Sequence, residues 1–100
     1  MNAMQHTIEV VIFPPRSGVT TSQLLAASAA ITPVLTRMPG FISRDFGTGE
    51  DGQFLDIIHW RDRDAAELAA QQVMLDATCC AYFDLMDQTR MHFSYFNQVF

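Results

Sequence analysis

The sequence has few charged residues, few basic residues and no long apolar run. Charged side chains make up 17% of the 100 residues, and six basic against 11 acidic residues give a net charge of −5. Most of the basic residues lie in or near predicted turns, so no positive stripe is available to follow nucleic-acid phosphates. No run of about 18 apolar residues is present, which argues against a membrane-spanning helix. We therefore predict neither nucleic acid nor a membrane as a partner.

Cysteine is scarce, and its placement argues against a disulfide framework. The only two cysteines, Cys79 and Cys80, are adjacent, and neighbouring cysteines cannot reach normal disulfide geometry without strain. This usage fits a reducing compartment. The segment from Met1 to His6 also lacks the charged and apolar parts of a secretory signal. We predict a cytoplasmic protein whose cysteines are small buried apolar side chains.

The motifs of common cofactor and nucleophile sites are absent as well. The sequence contains no phosphate-binding loop, nucleophile elbow or pair of zinc-ligand motifs. Gly47, Gly49 and Gly52 have the spacing of a dinucleotide fingerprint, but they lie in a predicted hairpin loop and open no helix. No cofactor is predicted.

What the sequence does contain is apolar strands with two apolar faces. In the run from Phe54 to Trp60, Phe54, Ile58 and Trp60 lie on one face, and Leu55 and Ile57 lie on the other. Successive side chains of a strand point to opposite sides, so this strand must be covered on both. The predicted first and last strands share the pattern. Two helices can cover only one side of a small sheet, and a second copy of the chain is the simplest cover for the other.

The predicted elements alternate as strand, helix, strand, strand, helix, strand. Strands are expected over residues 6–13, 41–46, 54–60 and 91–100. The first helix begins near Thr20, where Gln23 completes a capping box, and Pro33 should kink it or start a second helix at residues 31–32. The second helix is expected to begin at Asp64, with an interruption at residues 76–78.

This order predicts an α+β fold of the ferredoxin-like βαββαβ type, with one domain over residues 1–100. Right-handed crossovers place both helices on one face of a four-stranded antiparallel sheet. The expected spatial order of the strands is fourth, first, third, second. The first and third strands are expected to be central and to run parallel to each other.

A family resemblance rests on the stretch Met38-Pro39-Gly40-Phe41, on Arg44, on residues 51–60 and on the helical pair Ala65-Ala66. In these features the chain resembles the dimeric α+β barrel superfamily, and within it proteins of the antibiotic biosynthesis monooxygenase type. The resemblance covers nearly the whole chain and implies a homodimer formed through the sheet face. It also implies a possible enzyme in a group that includes cofactor-free quinone-forming monooxygenases and haem-degrading enzymes.

The resemblance gives Trp60 the position of a tryptophan that contacts haem in the haem-degrading members. Those members also use an asparagine in the first strand and a histidine on the second helix. Here the first strand has Glu9-Val10-Val11, and residues 64–87 contain no histidine. Haem degradation is therefore not expected.

Polar residues in or beside the apolar strands are the candidates for chemistry. Asp56 and His59 are the predicted catalytic proton acceptors, because buried carboxyl groups and histidines titrate near neutral pH. By alternation Asp56 shares the face of Trp60, whereas His59 points to the opposite face; pairing of Asp56 with Arg44 is the structural alternative. Trp60, Tyr82 and Phe83 are the predicted substrate-binding residues. Glu9, an acid inside a central strand, also needs a partner.

A metal site built from the three histidines is not expected. If the first and third strands run parallel, His6 and His59 lie at opposite ends of the sheet. His92 then lies near His59, but one strand separates them by roughly 10 Å. Metal-bound imidazole nitrogens lie about 2.1 Å from a common centre.

Three functions are compatible with these features. The first is a cofactor-independent monooxygenase acting on a small aromatic or quinone-type substrate in a pocket between sheet and helices. The second is a non-catalytic dimer that binds a small apolar ligand or serves as an accessory protein. The third, a purely structural association module, requires that the space between helices and sheet be packed solid.

Overall fold

Four strands and three α-helices make up the part of the chain that the computed structural model describes, residues 5–100. A 3₁₀ turn at Gln88–Arg90 precedes the last strand. The predicted order of elements is confirmed, and the expected interruption divides the second helical region in two. The elements are β1 (Thr7–Phe13), α1 (Thr21–Thr36), β2 (Phe41–Thr48), β3 (Phe54–Trp60), α2 (Arg63–Val73), α3 (Ala77–Phe83) and β4 (His92–Asn97).

The strands form one sheet in the order β2-β3-β1-β4, which is the predicted order. The predicted parallel pairing of the first and third strands is wrong, because β1 and β3 are antiparallel, with Thr7 opposite Trp60 and Phe13 opposite Phe54. The reason is topological: the α1 crossover makes β1 and β2 parallel, and the hairpin then reverses the chain into β3. Every adjacent pair in the sheet is antiparallel.

Helix α1 begins as predicted and runs through Pro33 as a single helix that ends at Thr36. The Oγ1 of Thr20 accepts the backbone N–H of Gln23, and the Gln23 side chain accepts the N–H of Thr20. Pro33 lies inside the helix, and no second helix starts at residues 31–32. The buried Ile31 and Leu35 on either side of Pro33 hold this last turn against the sheet. None of the helices within residues 5–100 has the length and apolarity to cross a membrane.

The second helical region begins earlier than predicted and is interrupted two residues before the expected position, residues 76–78. Asp62, rather than Asp64, is the N-cap of α2, and its carboxylate accepts the N–H of Ala65. A break at residues 74–76 separates α2 from α3, which Asp76 caps by accepting the N–H of Cys79. An aspartate at each N-cap satisfies a free backbone donor.

The helices cover one face of the sheet, as the alternation of strand residues predicted. Phe54, Asp56, Ile58 and Trp60 of β3 are buried against them. From the neighbouring β1, Thr7, Glu9, Val11 and Phe13 share this face by register. The helices contribute most of the remaining buried side chains, among them Leu24, Ile31, Leu35, Ala66, Cys79 and Tyr82.

The opposite face of the sheet carries apolar side chains that the protomer leaves partly open. Val10 of β1 lies directly opposite Ile57 of β3, and both are only half-buried. On the edge strand β4, Phe96 is 54% exposed and pairs with Ile8. This is the face through which the sequence predicts a homodimer, and the pairing stays a prediction.

Gly40, in the turn between α1 and β2, is the glycine with the strictest requirement. Its φ is +84°, and a Cβ added there would lie 2.5 Å from the Cβ of Ala65. Its carbonyl also accepts the N–H of Arg61 at 2.7 Å, which ties the turn to the end of β3. Only glycine allows both the left-handed backbone and this close approach.

Gly40→Ala should therefore destabilise the protein more than Gly18→Ala. Gly18 has a similar φ of +87° but nothing within 4 Å of an added Cβ. We expect about 1–2 kcal/mol for the backbone conformation alone and a further 1–3 kcal/mol for the clash with Ala65. Urea denaturation of both variants at one protein concentration measures the difference. Equal losses would show that Ala65 moves aside without cost.

Candidate functional site

A cavity of about 270 Å³ lies between the sheet and the helices, slightly smaller than the usual small-molecule pocket of about 300–1,000 Å³. Its wall is mainly apolar and includes three flexible methionines, Met74, Met86 and Met91. Five polar side chains also line it, namely Glu9, Asp56, Trp60, Tyr82 and, at an exposed position, Gln88. Carboxyl groups are therefore placed in a largely apolar space.

Beside the cavity, the guanidinium of Arg44 ties the sheet to helix α1. From β2, its Nε and Nη2 donate to the two oxygens of Asp56, each at 2.8 Å. Its Nη1 donates to the backbone carbonyl of Ser28 at 2.6 Å and to Oγ1 of Thr32 at 2.9 Å. The second N–H of Nη2 donates to Oγ of Ser28 at 2.8 Å. All five guanidinium donors are thus used.

Both carboxylate oxygens of Asp56 accept hydrogen bonds. Its Oδ1 accepts from Arg44, and its Oδ2 accepts both from Arg44 and from the hydroxyl of Tyr82 at 2.7 Å. The arginine and aspartate side chains are only 5% and 4% exposed. Burial and the negative charge of Asp56 raise the pKa of Tyr82, so its hydroxyl stays protonated and donates. The structural alternative for Asp56, pairing with Arg44, is what the structure contains.

Glu9 is in a different situation on the neighbouring strand. Its Oε1 accepts the indole N–H of Trp60 at 3.0 Å, and it has no cation within salt-bridge distance among residues 5–100. The pKa of Glu9 is raised from 4.5 to about 7. Burial is the largest cause and raises it, the Trp60 hydrogen bond lowers it, the negative charge of Asp56 raises it and the positive charge of Arg44 lowers it. Glu9 can therefore lose and accept a proton near neutral pH.

The two carboxyl groups of the cavity thus have separate properties. Asp56 is held as an ion pair by a bidentate arginine. Glu9 has a single neutral donor and an elevated pKa. A pair of acids with environments this different is the arrangement from which acid–base roles are assigned.

The predicted substrate-binding residues Trp60, Tyr82 and Phe83 all line this cavity. Trp60 is 1% exposed and packs edge-on against Phe41. Tyr82 contacts Phe13 and Phe46 edge-on. The structure therefore brings these residues into one space, while their role in binding stays a prediction.

The two predicted catalytic residues are not brought together. Asp56 lines the cavity, whereas His59 lies on the opposite face of β3, where it pairs with Ile8 and Ser43. Within one protomer His59 does not border the cavity. The catalytic role of either residue stays a prediction.

Glu9 is the residue that the sequence indicated without assigning it to the site. Its position two residues before Val11 and four before Phe13 places it on the helix-facing side of β1. The same alternation argument that located Asp56 would have located Glu9. Arg44 also donates hydrogen bonds to Ser28 and Thr32 of α1. No sequence pattern indicated these two partners, because helix and sheet meet only in the tertiary structure.

The reasoning from the histidines was wrong in one step. Because β1 and β3 are antiparallel, His6 and His59 lie at the same end of the sheet, and His92, opposite Ile12, lies at the other. Among residues 5–100, no three His, Cys, Asp or Glu side chains are grouped so that they could hold a metal ion.

The cysteines lie on α3. Cys79 is buried, as predicted, and burial raises the pKa of its thiol to about 12. Cys80 is half-buried, and its Sγ donates to the carbonyl of Met74 at 3.3 Å. A thiol with so high a pKa is a poor nucleophile.

Comparisons with known proteins support the fold. SnoaB from Streptomyces nogalater, described as a cofactor-independent oxygenase, is similar in structure with a TM-score of 0.80 and 18% identity, over 96% of this chain and 95% of that one. A protein from Bordetella bronchiseptica, provisionally assigned as an antibiotic biosynthesis monooxygenase, has a TM-score of 0.80 at 11% identity over 96% and 99% of the two chains. A Nitrosomonas europaea protein with the same provisional assignment has a TM-score of 0.76 at 13% identity over 100% and 96%.

No protein-family model and no curated protein sequence matches the chain. At these levels of identity the structural likeness shows the fold and leaves the reaction open. The predicted ferredoxin-like βαββαβ fold is confirmed, because these similar structures share it. Membership of the antibiotic biosynthesis monooxygenase type stays a prediction.

Arg44→Met should destabilise the protein strongly, because it leaves Asp56 charged and buried without a cation. We expect a loss of about 3–5 kcal/mol in the free energy of unfolding. Arg90→Met is the matched control, since the Arg90 side chain is 72% exposed and its ion pair with Asp87 is long, at 3.8 Å; its loss should stay below about 1 kcal/mol. Chemical denaturation compares them, and similar losses would contradict the structural role of the Arg44–Asp56 pair.

Proposed function

We propose that this protein is a cofactor-independent monooxygenase that oxidises a small aromatic or quinone-type substrate in the cavity between sheet and helices. Glu9 is the proton acceptor in this proposal. The observation that carries it is a carboxyl group with a pKa of about 7 in a mainly apolar cavity of about 270 Å³. A base whose pKa lies near the working pH is the most effective proton acceptor.

The comparisons add support at the level of the fold. SnoaB is described as a cofactor-independent oxygenase, and two further similar structures are provisionally assigned as antibiotic biosynthesis monooxygenases. Transfer of that activity to this chain is part of the proposal. A location in the cytoplasm likewise stays a prediction.

The proposed reaction requires only dioxygen as co-substrate. Glu9 removes a proton from an acidic ring position or hydroxyl, and the resulting substrate anion gives one electron to dioxygen. The radical pair combines into a carbon–oxygen bond, which forms a peroxide that takes a proton. Cleavage of the oxygen–oxygen bond with loss of the second ring hydrogen turns a CH₂ into a carbonyl group and releases one molecule of water.

The remaining side chains of the cavity have supporting roles in this proposal. Trp60 holds Glu9 through its indole N–H, and Tyr82 and Phe83 enclose the aromatic rings of the substrate. We favour Glu9 over Asp56 as the base because Arg44 and Tyr82 already occupy both oxygens of Asp56. His59 could act only from the outer face of the sheet.

Glu9→Gln should abolish turnover while preserving the shape of the cavity. With wild-type protein, oxygen uptake with a panel of anthrones and hydroquinones should exceed the rate in buffer. Its kcat/KM should rise with pH through about 7 and then level off, because Glu9 acts only after it has lost its proton. Glu9→Gln should lower kcat/KM by about 100-fold or more and remove this pH step.

Glu67→Gln is the matched control for Glu9→Gln, because the Glu67 side chain is 52% exposed on α2. It should leave both the rate and the pH profile unchanged. The proposal fails if no member of the panel reacts faster than in buffer, or if Glu9→Gln retains the wild-type rate.

We further propose that two protomers pair through the outer face of the sheet. The half-buried Val10 and Ile57 lie opposite each other in the two central strands, and Phe96 is exposed beside them on the edge. Pairing of two such faces about a twofold axis would remove this apolar surface from water.

Ile57→Lys should therefore convert a dimer into a monomer, because it places a charge in the centre of the proposed interface. Leu75→Lys is the control: Leu75 is 89% exposed, at the break between α2 and α3 on the helical side of the sheet. Sedimentation velocity at micromolar concentration should give a dimer for the wild type and Leu75→Lys. A folded wild-type monomer would refute the interface.

Non-catalytic binding of a small apolar ligand is the second candidate. The occupied state of Asp56 favours it, because one of the two cavity acids already serves the fold. Binding without oxygen uptake would identify this function. The cavity itself argues against a purely structural module, which requires a solid interior.

A further inference from the structure

The wall of the cavity contains hydrogen-bond acceptors and no basic side chain. Its polar members are Glu9, Asp56, Trp60, Tyr82 and Gln88, and no lysine, arginine or histidine of residues 5–100 lines it. Arg44, whose positive charge acts on Glu9, is neutralised by its bidentate contact with Asp56. When Glu9 is ionised, the cavity therefore has a net negative charge.

The donors of the buried part of the wall are already used within the protein. The indole N–H of Trp60 donates to Oε1 of Glu9 at 3.0 Å, and the hydroxyl of Tyr82 donates to Oδ2 of Asp56 at 2.7 Å. Gln88, at an exposed position, uses one of its two Nε2–H groups on the carbonyl of Phe83 at 3.1 Å, so its other N–H is a donor at the exposed edge of the cavity. Among residues 5–100, the buried side chains of the wall thus offer a bound molecule no unused donor.

One acceptor stands open. Within residues 5–100, Oε1 of Glu9 takes the Trp60 N–H, and no hydrogen bond is made to Oε2. Both oxygens of Asp56 are engaged. A molecule in the cavity can therefore form its strong polar contact with Glu9 by donating a hydrogen to it.

We propose that the cavity selects uncharged aromatic molecules that carry a hydrogen-bond donor, such as a phenolic hydroxyl, and rejects aromatic anions. This inference rests on the proposed function, since it names the substrate class of the same site. A buried carboxylate or sulfonate would meet the Glu9 carboxylate with no free cation and no free donor. An ether would leave the open oxygen of Glu9 unpaired.

Three naphthalenes with different substituents test this selectivity: 2-naphthol, 2-methoxynaphthalene and 2-naphthoate. Binding to the full-length protein is measured by calorimetry or ligand fluorescence at about pH 8.5, where Glu9 is ionised and 2-naphthol is not. The groups that face Glu9 are Trp60 and Asp56 of β3, Arg44 of β2 and Tyr95 of β4.

We expect 2-naphthol to bind tightest, the ether about tenfold weaker and the carboxylate at least about 100-fold weaker.

Glu9→Gln replaces the open acceptor by an amide of the same shape that also has N–H donors. It should weaken 2-naphthol binding about tenfold and strengthen 2-naphthoate binding. The difference between the two affinities then becomes smaller, or its sign reverses. Glu67→Gln, which removes an exposed acid, should keep the wild-type order. Circular dichroism and thermal unfolding verify that the variants fold. If Glu9→Gln does not fold, the order of the three ligand affinities for wild-type protein still tests the inference.

The outcomes separate this inference from the proposed function. If 2-naphthoate binds wild-type protein as tightly as 2-naphthol does, or the ether binds as tightly as the naphthol, the selectivity is refuted while ligand binding in the cavity stands. If none of the three binds, the cavity is no aromatic site, and the proposed function fails with it. The inference is supported if wild-type protein binds the three ligands in the predicted order of affinity and Glu9→Gln does not.

Discussion

The structure depends on one buried ion pair, between Arg44 on β2 and Asp56 on β3. The guanidinium donates two hydrogen bonds to the carboxylate and three to Ser28 and Thr32 of α1. Through Asp56 the network extends to Tyr82 of α3. Two strands and two helices are thus fixed relative to one another by directional bonds, which apolar packing alone does not supply. The cavity keeps its shape beside this network.

The same pair determines what the other carboxyl group can do. Because Arg44 is bound to Asp56, Glu9 has no cation within salt-bridge distance in residues 5–100. Its pKa is raised to about 7, with burial as the largest cause. Asp56 is therefore held in an ion pair that stabilises the fold, whereas Glu9 can exchange a proton. The indole of Trp60 orients Glu9 without neutralising it. The proposed catalysis and the proposed selectivity both follow from this division between two acids on adjacent strands.

The success of the sequence analysis followed from local rules. Alternation along β3 correctly put Asp56 and Trp60 on the helix-facing side and His59 on the other. The capping box at Thr20 and the break before α3 are also local patterns, and both were found. The error in strand direction was different in kind, because it required counting chain reversals rather than inspecting residues. That error misplaced the histidines, although the alternation of faces was unaffected.

By itself, the sequence determined the fold class and the face of the sheet on which each strand residue lies. These properties follow from side-chain periodicity, which is fixed within a few residues of chain. Only the tertiary structure decided which acid is paired and which is free. The partners of Arg44 come from β3 and α1, 12 to 16 residues away in sequence, and Trp60 reaches Glu9 across 51 residues. A pKa depends on the charges and the solvent around a group, so it is settled only when distant segments meet.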